Sequence, residues 1–171
     1  MRELLILRHA KSDWPDGIPD FERPLKPRGK RAALRVGAWL AEQKLCPDWL
    51  VSSPAQRARE TTEKLCKGLN YKKIEQIHFD ERIYEADLAA LKQVLADCPT
   101  ASRRIMLVGH NPGLEDLLVD LVAGVEPEED GKLLATATLA RVQLPDDWQS
   151  LPRYCGQLLS ITRAASLPDD N

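Results

Sequence analysis

The chain has 171 residues, a length that suits one domain and lets roughly 70% of the unfolded surface be buried. Its 24 Lys and Arg are offset by 26 Asp and Glu, a net charge of −2, so no global basic field marks a nucleic-acid binder. Aromatic residues are only 5%, which argues against a base-stacking surface, while 43% hydrophobic and 29% charged residues are ordinary for a soluble globular protein.

Residues 4–7, Leu-Leu-Ile-Leu, are a short unbroken apolar run, the pattern of a strand buried on both faces of a parallel sheet. The run passes directly into Arg8 and His9. In open α/β sheets ligands bind beyond the carboxyl ends of the strands, where an arginine and a histidine can bind an anion and attack it. Taken alone, the pair is more simply a strand end capped by two polar residues. Residues 11–26 are polar and carry Pro15, Pro19 and Pro24, which predicts a loop across the same edge.

A helix is expected from Pro27, burying Ala33, Val36, Gly37, Leu40 and Ala41, with Cys46-Pro47 closing the unit. Trp49-Leu50-Val51 is the next strand. It leads to Ser53 as helix N-cap, Pro54 at the first helical position and Gln56 three residues after the serine. Arg57 then falls in the opening turn, where free N–H groups and the helix dipole favour an anion. By itself Arg57 reads as a surface helix charge. Residues 74–79 are expected to form a strand and 87–97 a helix with Leu88, Leu91, Val94 and Leu95 inward.

Ile105-Met106-Leu107-Val108 repeats the buried-strand pattern and ends in Gly109-His110-Asn111-Pro112-Gly113. A helix over 113–124 follows, with Leu114, Leu117, Leu118, Leu121 and Val122 on its apolar side; these stripes are core. Residues 126–130 form an acidic, solvated connector. Late strands are expected over 137–144 and 158–162, joined by a Pro-rich segment around Trp148, and the tail 168–171 is expected to be disordered. There are no repeats and no second boundary. The alternation predicts a single α/β domain over residues 1–171, a three-layer sandwich with a mostly parallel central sheet and helices on both faces.

Three strand ends thus deliver a cation or an imidazole: Arg8 and His9, then Arg57, then His110. If those strands are parallel neighbours, the groups converge on one edge, which packing alone does not explain. Cys46, Cys66, Cys98 and Cys155 are widely spaced with no C-x-x-C pair, so they read as buried thiols in a reducing compartment rather than metal ligands or disulfides. The first apolar run is too short for a signal-peptide core and no stretch approaches membrane-spanning length, so a cytoplasmic location without membrane contact is expected.

Arg8-His9, Ser53-Pro54 with Arg57-Ala58 and Thr61, and Gly109-His110-Asn111-Pro112-Gly113 together resemble the histidine phosphatase superfamily. The likeness extends to Arg23-Pro24-Leu25 with Arg28-Gly29, and to Tyr84 with Ala86, and is greatest to the short phosphohistidine phosphatases of the SixA type. Ala10 stands where the superfamily usually has glycine, which points to the SixA-like branch and away from sugar-phosphate mutases. The resemblance implies a phosphatase without metal or other cofactor, in which His9 forms a phosphohistidine intermediate. Arg8 and Arg57 would clamp the phosphoryl oxygens and His110 would be a further donor.

A nucleophilic His9 would need one ring nitrogen held by a backbone carbonyl so that the other faces phosphorus. Arg23 has two readings, a pocket donor or a surface arginine pinning the loop. Ser12 and Asp13 read as loop-turn residues before pocket rim, and His78 as structural. Glu81, Glu85 and Asp87 lie where a general acid would fall, and no motif singles one out. The implied substrate is phosphohistidine in a protein such as a phosphotransfer domain. A general small-molecule phosphomonoesterase and a phosphate-binding module without turnover are the alternatives.

Overall fold

The computed structural model describes residues 1–169. Its strands are β1 (Arg2–Arg8), β2 (Trp49–Ser52), β3 (Ile77–Phe79), β4 (Arg104–Gly109), β5 (Thr138–Leu144) and β6 (Gln157–Arg163). They form one sheet in the order β3-β2-β4-β1-β5-β6. The first four in that order are mutually parallel, and β5 runs antiparallel to β1 and β6. The helices are α1 (Pro27–Glu42), α2 (Gln56–Leu69), α3 (Leu88–Ala96) and α4 (Gly113–Leu121).

The strand runs are apolar throughout because both faces are covered. Leu4, Ile6, Val51, Ile105 and Leu107 face α3 and α4, packing with Leu91, Leu95, Leu114 and Leu118. Their sequence neighbours Leu5, Leu7, Leu50, Met106 and Val108 face α1 and α2, packing with Val36, Leu40, Leu65 and Leu69. The two-residue period of a strand thus divides each run between two cores. The three-layer α/β architecture expected from the alternation is the one observed.

Several local expectations are corrected. Ser53 is not the cap of α2: the helix begins at Gln56 with Ala55 as N-cap, and the Ser53 hydroxyl accepts only the Ala55 N–H at 3.2 Å. The Ser53 N–H donates to the Val108 carbonyl at 2.9 Å, which holds this residue to the sheet and prevents it from entering the helix. β3 has three residues, matched one to one with Leu50–Ser52 of β2, and residues 74–76 form a 3-10 turn. α4 stops at Leu121, since Val122 is extended at φ −127° and ψ 121°.

The loop 11–26 is more ordered than its prolines suggest, with a 3-10 turn at Asp20–Glu22 and a bridge between Ser12 and Leu25. The Pro-rich connector buries Trp148, whose indole N–H donates to the Ser102 carbonyl at 2.7 Å. Among the cysteines expected to be buried, Cys46 is exposed and Cys155 half-buried. In the tail, Pro168 and Asp169 lie outside regular elements, and Asp169 pairs with Arg35 at 3.3 Å. The disorder expected of residues 170–171 lies outside the described residues. Among the described residues no helix is long and apolar enough to cross a membrane.

α1 and α2 touch backbone to backbone. A Cβ on Gly37 would lie 2.1 Å from the Leu65 carbonyl oxygen, and one on Gly68 would lie 2.2 Å from that of Leu34. No rotamer relieves a clash with main chain. Gly37→Ala must therefore push the helices apart, and overpacking of this kind costs about 1–3 kcal/mol. Urea denaturation should show a lowered midpoint of that order, and an unchanged midpoint would mean that the helix pair has room to separate.

Candidate active site

Parallel register carries the three strand ends to one edge. Arg8 is level with Gly109 and Ser52 with Val108, so His9, Ser53 and His110 leave the sheet side by side. The His9 N–H continues the ladder to the Gly109 carbonyl at 3.0 Å. The two imidazoles lie 5.1 Å apart, centroid to centroid. A cavity of about 340 Å³ opens here, lined by Arg8, His9, Arg23, Arg57 and His110 among others.

The His9 ring is held through Nδ1, which lies 2.7 Å from the Ala10 carbonyl oxygen. That oxygen can only accept, so Nδ1 carries the proton and Nε2 keeps a free lone pair. Ala10 is itself braced: its N–H donates to the Thr61 hydroxyl at 3.0 Å, and that hydroxyl donates to the Arg57 carbonyl at 2.7 Å. One threonine in α2 therefore couples the turn after β1 to the residue that carries the second arginine. His110 Nε2 lies 2.7 Å from the Ser53 hydroxyl. That hydroxyl accepts from the Ala55 N–H and can donate its own proton to Nε2, an arrangement in which a neutral His110 carries its proton on Nδ1. His110 Nδ1 is buried and has no partner among the described residues.

Arg57 is only 7% exposed, which removes its reading as a surface charge. Its guanidinium donates to the Asp20 carbonyl at 2.7 Å and to Asp20 Oδ2 at 3.0 Å. Arg23, also buried, donates to Asp20 Oδ1 at 3.0 Å, to the Asp13 carbonyl at 3.0 Å and to the Ser12 hydroxyl at 2.6 Å. Its two readings prove compatible, since it lines the cavity and ties down the loop. Arg8 donates to the Leu134 carbonyl at 3.1 Å.

Asp20 was not legible as a site residue, yet it holds both arginines and accepts the Tyr84 hydroxyl at 2.5 Å. The hydroxyl and the two guanidiniums together hold its carboxyl down at about 2. Its spacing three residues before Arg23 was the available signal.

The three candidate acids part company. Asp87 caps α3, accepting the Ala90 N–H at 2.8 Å. Glu81 lies exposed in a 3-10 turn and lines neither cavity at the site. Glu85 lines an adjoining cavity of about 310 Å³ with Asp20, Arg57 and His110. Ser12 is buried at the cavity wall and Asp13 is exposed. His78 stacks on Trp49 at 4.0 Å, on the edge strand, outside the site. A larger cavity of about 520 Å³ between α2 and β3 is mostly apolar and contains none of the site groups. Among the described residues no group of three or more His, Cys, Asp or Glu is placed to hold a metal ion.

Residues 4–102 match the sequence profile of the histidine phosphatase superfamily, branch 1. The chain belongs to that superfamily. Its sequence is 30% identical over 160 residues to an uncharacterized protein of Mycobacterium tuberculosis, spanning 91% of this chain and 98% of that one. A chain assigned as the phosphohistidine phosphatase SixA of Agrobacterium tumefaciens superposes with a TM-score of 0.75 at 25% identity, covering 94% of this chain and 97% of its own. The protein histidine phosphatase SixA solved with tungstate shares the fold, with a TM-score of 0.78 at 20% identity over 95% and 97% of the two chains. His110 falls outside the profile match, and the sheet register is what brings it to His9.

Burial, reinforced by the arginines, pushes His9 down to about 3 and His110 to about 4. Both rings are therefore neutral at pH 7. An unfolded histidine titrates near 6.5, so below that pH the unfolded chain binds protons that the folded chain refuses. Stability present at neutral pH is lost as pH falls from about 6.5 toward 4. The loss should approach about 1.4 kcal/mol per pH unit for each ring at most. Denaturant titrations at pH 7.5 and 5.0 should show this decline, with a shallower one in His9→Asn. An identical decline in that variant would mean that His9 is protonated in the fold.

Proposed function

We propose that the chain hydrolyses phosphohistidine in a protein, through a phosphoryl intermediate on His9. The observation that carries this reading is the His9 ring itself, fixed at Nδ1 by the Ala10 carbonyl and surrounded by buried arginines. A neutral, oriented imidazole is a competent nucleophile, and phosphoryl transfer asks little of the protein beyond an in-line attacker and charge on the equatorial oxygens.

In the first step His9 Nε2 attacks phosphorus and the bond to the leaving group breaks. Arg8 and Arg57 hold the equatorial oxygens, Arg23 supports them from the loop, and His110 donates its Nδ1–H. In the second step water attacks the phosphorus on His9, inorganic phosphate departs, and the imidazole is restored.

The choice of substrate rests on the acid. Asp20 is held ionised by Tyr84 and the arginines, and Asp87 is committed to capping α3, so neither is disposed to give a proton. Imidazole leaves readily once protonated, whereas an alkoxide needs a proton from the enzyme. A cytoplasmic setting accompanies this reading, supported by four cysteines that are all free. Glu85, on the wall of the adjoining cavity, favours a second reading as a phosphomonoesterase in which it is the acid.

His9→Ala should abolish turnover and still bind vanadate, because the arginines remain; substantial activity in that variant would overturn the covalent route. Charge around the phosphate is supplied by side chains, so activity should survive exhaustive chelation, and loss restored by one divalent ion would refute that. Phosphohistidine and activated aryl phosphates should be cleaved faster than alkyl phosphates by about 10²- to 10⁴-fold, the usual contribution of a general acid. Glu85→Gln should change turnover little. If it selectively removes alkyl phosphate hydrolysis, Glu85 is the acid and the phosphomonoesterase reading takes over.

A further inference from the structure

The phosphate cavity is open on one side. Lys11 and Thr136 form part of its wall and also part of the wall of a second cavity of about 290 Å³. The other charged groups lining that second cavity are Arg28 and Arg35, and no carboxylate lines it. The hollow is thus walled by three cations and no acid.

The backbone from which Lys11 and Arg28 project is fixed by main-chain contacts. The Lys26 N–H donates to the Lys11 carbonyl at 2.9 Å, and a Cβ on Gly29 would come within 2.3 Å of the same oxygen. The first turn of α1 is therefore pressed against the Lys11 backbone, with Arg28 one residue before the contact. α1 has 16 residues, and its amino end adds positive potential on the same side. Lys11 and Arg28 make no ion pair among the described residues, whereas Arg35 is paired with the tail carboxylate of Asp169 at 3.3 Å. A carboxylate of this chain thus already sits on the third cation, and the nearer two remain available to a ligand.

We infer that this second cavity is a subsite for a second anionic group on the substrate, a carboxylate or phosphate, with Lys11 and Arg28 as its cations. The inference rests on the phosphate-site reading of the first cavity and says which phosphate compounds the enzyme prefers. On a phosphoprotein the second anion is an acidic side chain beside the phosphohistidine. On a small molecule it is a distal carboxylate or phosphate. The shared chemistry is two anions joined by a spacer.

Phosphonates test this without turnover. Calorimetric Kd values are compared for alkylphosphonates and for phosphonocarboxylates of matched and increasing chain length. A second arm compares turnover of phosphohistidine peptides with Glu or with Gln beside the phosphorylated residue. At low salt the second anion should improve binding or kcat/KM by about three- to tenfold, at one preferred spacer length. Arg28→Glu should abolish or reverse the gain, Arg28→Lys should keep most of it, and both should leave simple alkylphosphonate binding and aryl phosphate turnover unchanged. Gain with phosphonocarboxylates and none with the Glu peptides identifies a small-molecule source, and gain with the Glu peptides identifies a protein. No gain in either arm, or a gain that survives Arg28→Glu, overturns the subsite. Failure of every phosphonate to bind would instead overturn the phosphate-site reading on which it rests.

Discussion

The pairing of β4 between β1 and β2 is the constraint from which the site follows. A parallel ladder sets all three strands to end at the same height, and the residues immediately after their ends must then share one small volume. Had β4 been antiparallel, His110 would have left the sheet at the opposite end from His9. The registry is specified by burial: a one-residue slip in any of the runs would exchange the residues facing α1 and α2 for those facing α3 and α4. Both faces are apolar here, so hydrophobicity alone tolerates a slip. What resists a slip is the shape of the two cores, which pack different sets of side chains on the two faces.

Gathering three arginines and two histidines at one edge creates an electrostatic problem that the fold meets in two ways. The histidines stay neutral, because burial and the adjacent guanidiniums both oppose a further positive charge. The arginines cannot discharge, so a counter-charge is brought in from the loop. Asp20 accepts from Arg23, Arg57 and Tyr84 at once, and the 3-10 turn in which it lies is thereby anchored over the cavity. Asp20 is much less buried than Arg23 and Arg57, the two arginines it pairs with.

What could be read from the chain alone divides along physical lines. Apolar runs such as residues 4–7 and 105–108 are local signals of buried strands, and the residues that follow them are adjacent in sequence, so Arg8, His9 and His110 could be placed. Ser53 was misread because Ser-Pro with Gln56 is a good local cap signal, and the tertiary bond from its N–H to Val108 outweighs it. Asp20 escaped notice because its partners come from three separate segments, and no local pattern encodes a meeting of residues 20, 57 and 84. The third strand is shorter than residues 74–79 for a related reason: β-propensity says nothing of where its partner β2 offers residues to pair with, and only Leu50–Ser52 do. Arg23 shows the limit of a two-way choice, since one guanidinium has enough donors both to pin a loop and to line a pocket.

The neutral histidines and the surplus of arginines also bear on how a phosphate would be held. In the ligand-free site, the arginines and burial act in the same direction on His110, against its protonation. A dianion between the guanidiniums reverses the Coulombic part of that balance while leaving burial in place. On the proposed reading His110 would gain basicity as a phosphate arrived, and its buried Nδ1, which has no partner among the described residues, would be offered an acceptor. The desolvation cost of that unpartnered nitrogen would then be offset by a phosphoryl oxygen, and most fully by one that carries the extra charge of the transition state. Such a site would discriminate by charge before it discriminated by shape, as befits a pocket lined by six basic side chains and bordered by more of the same.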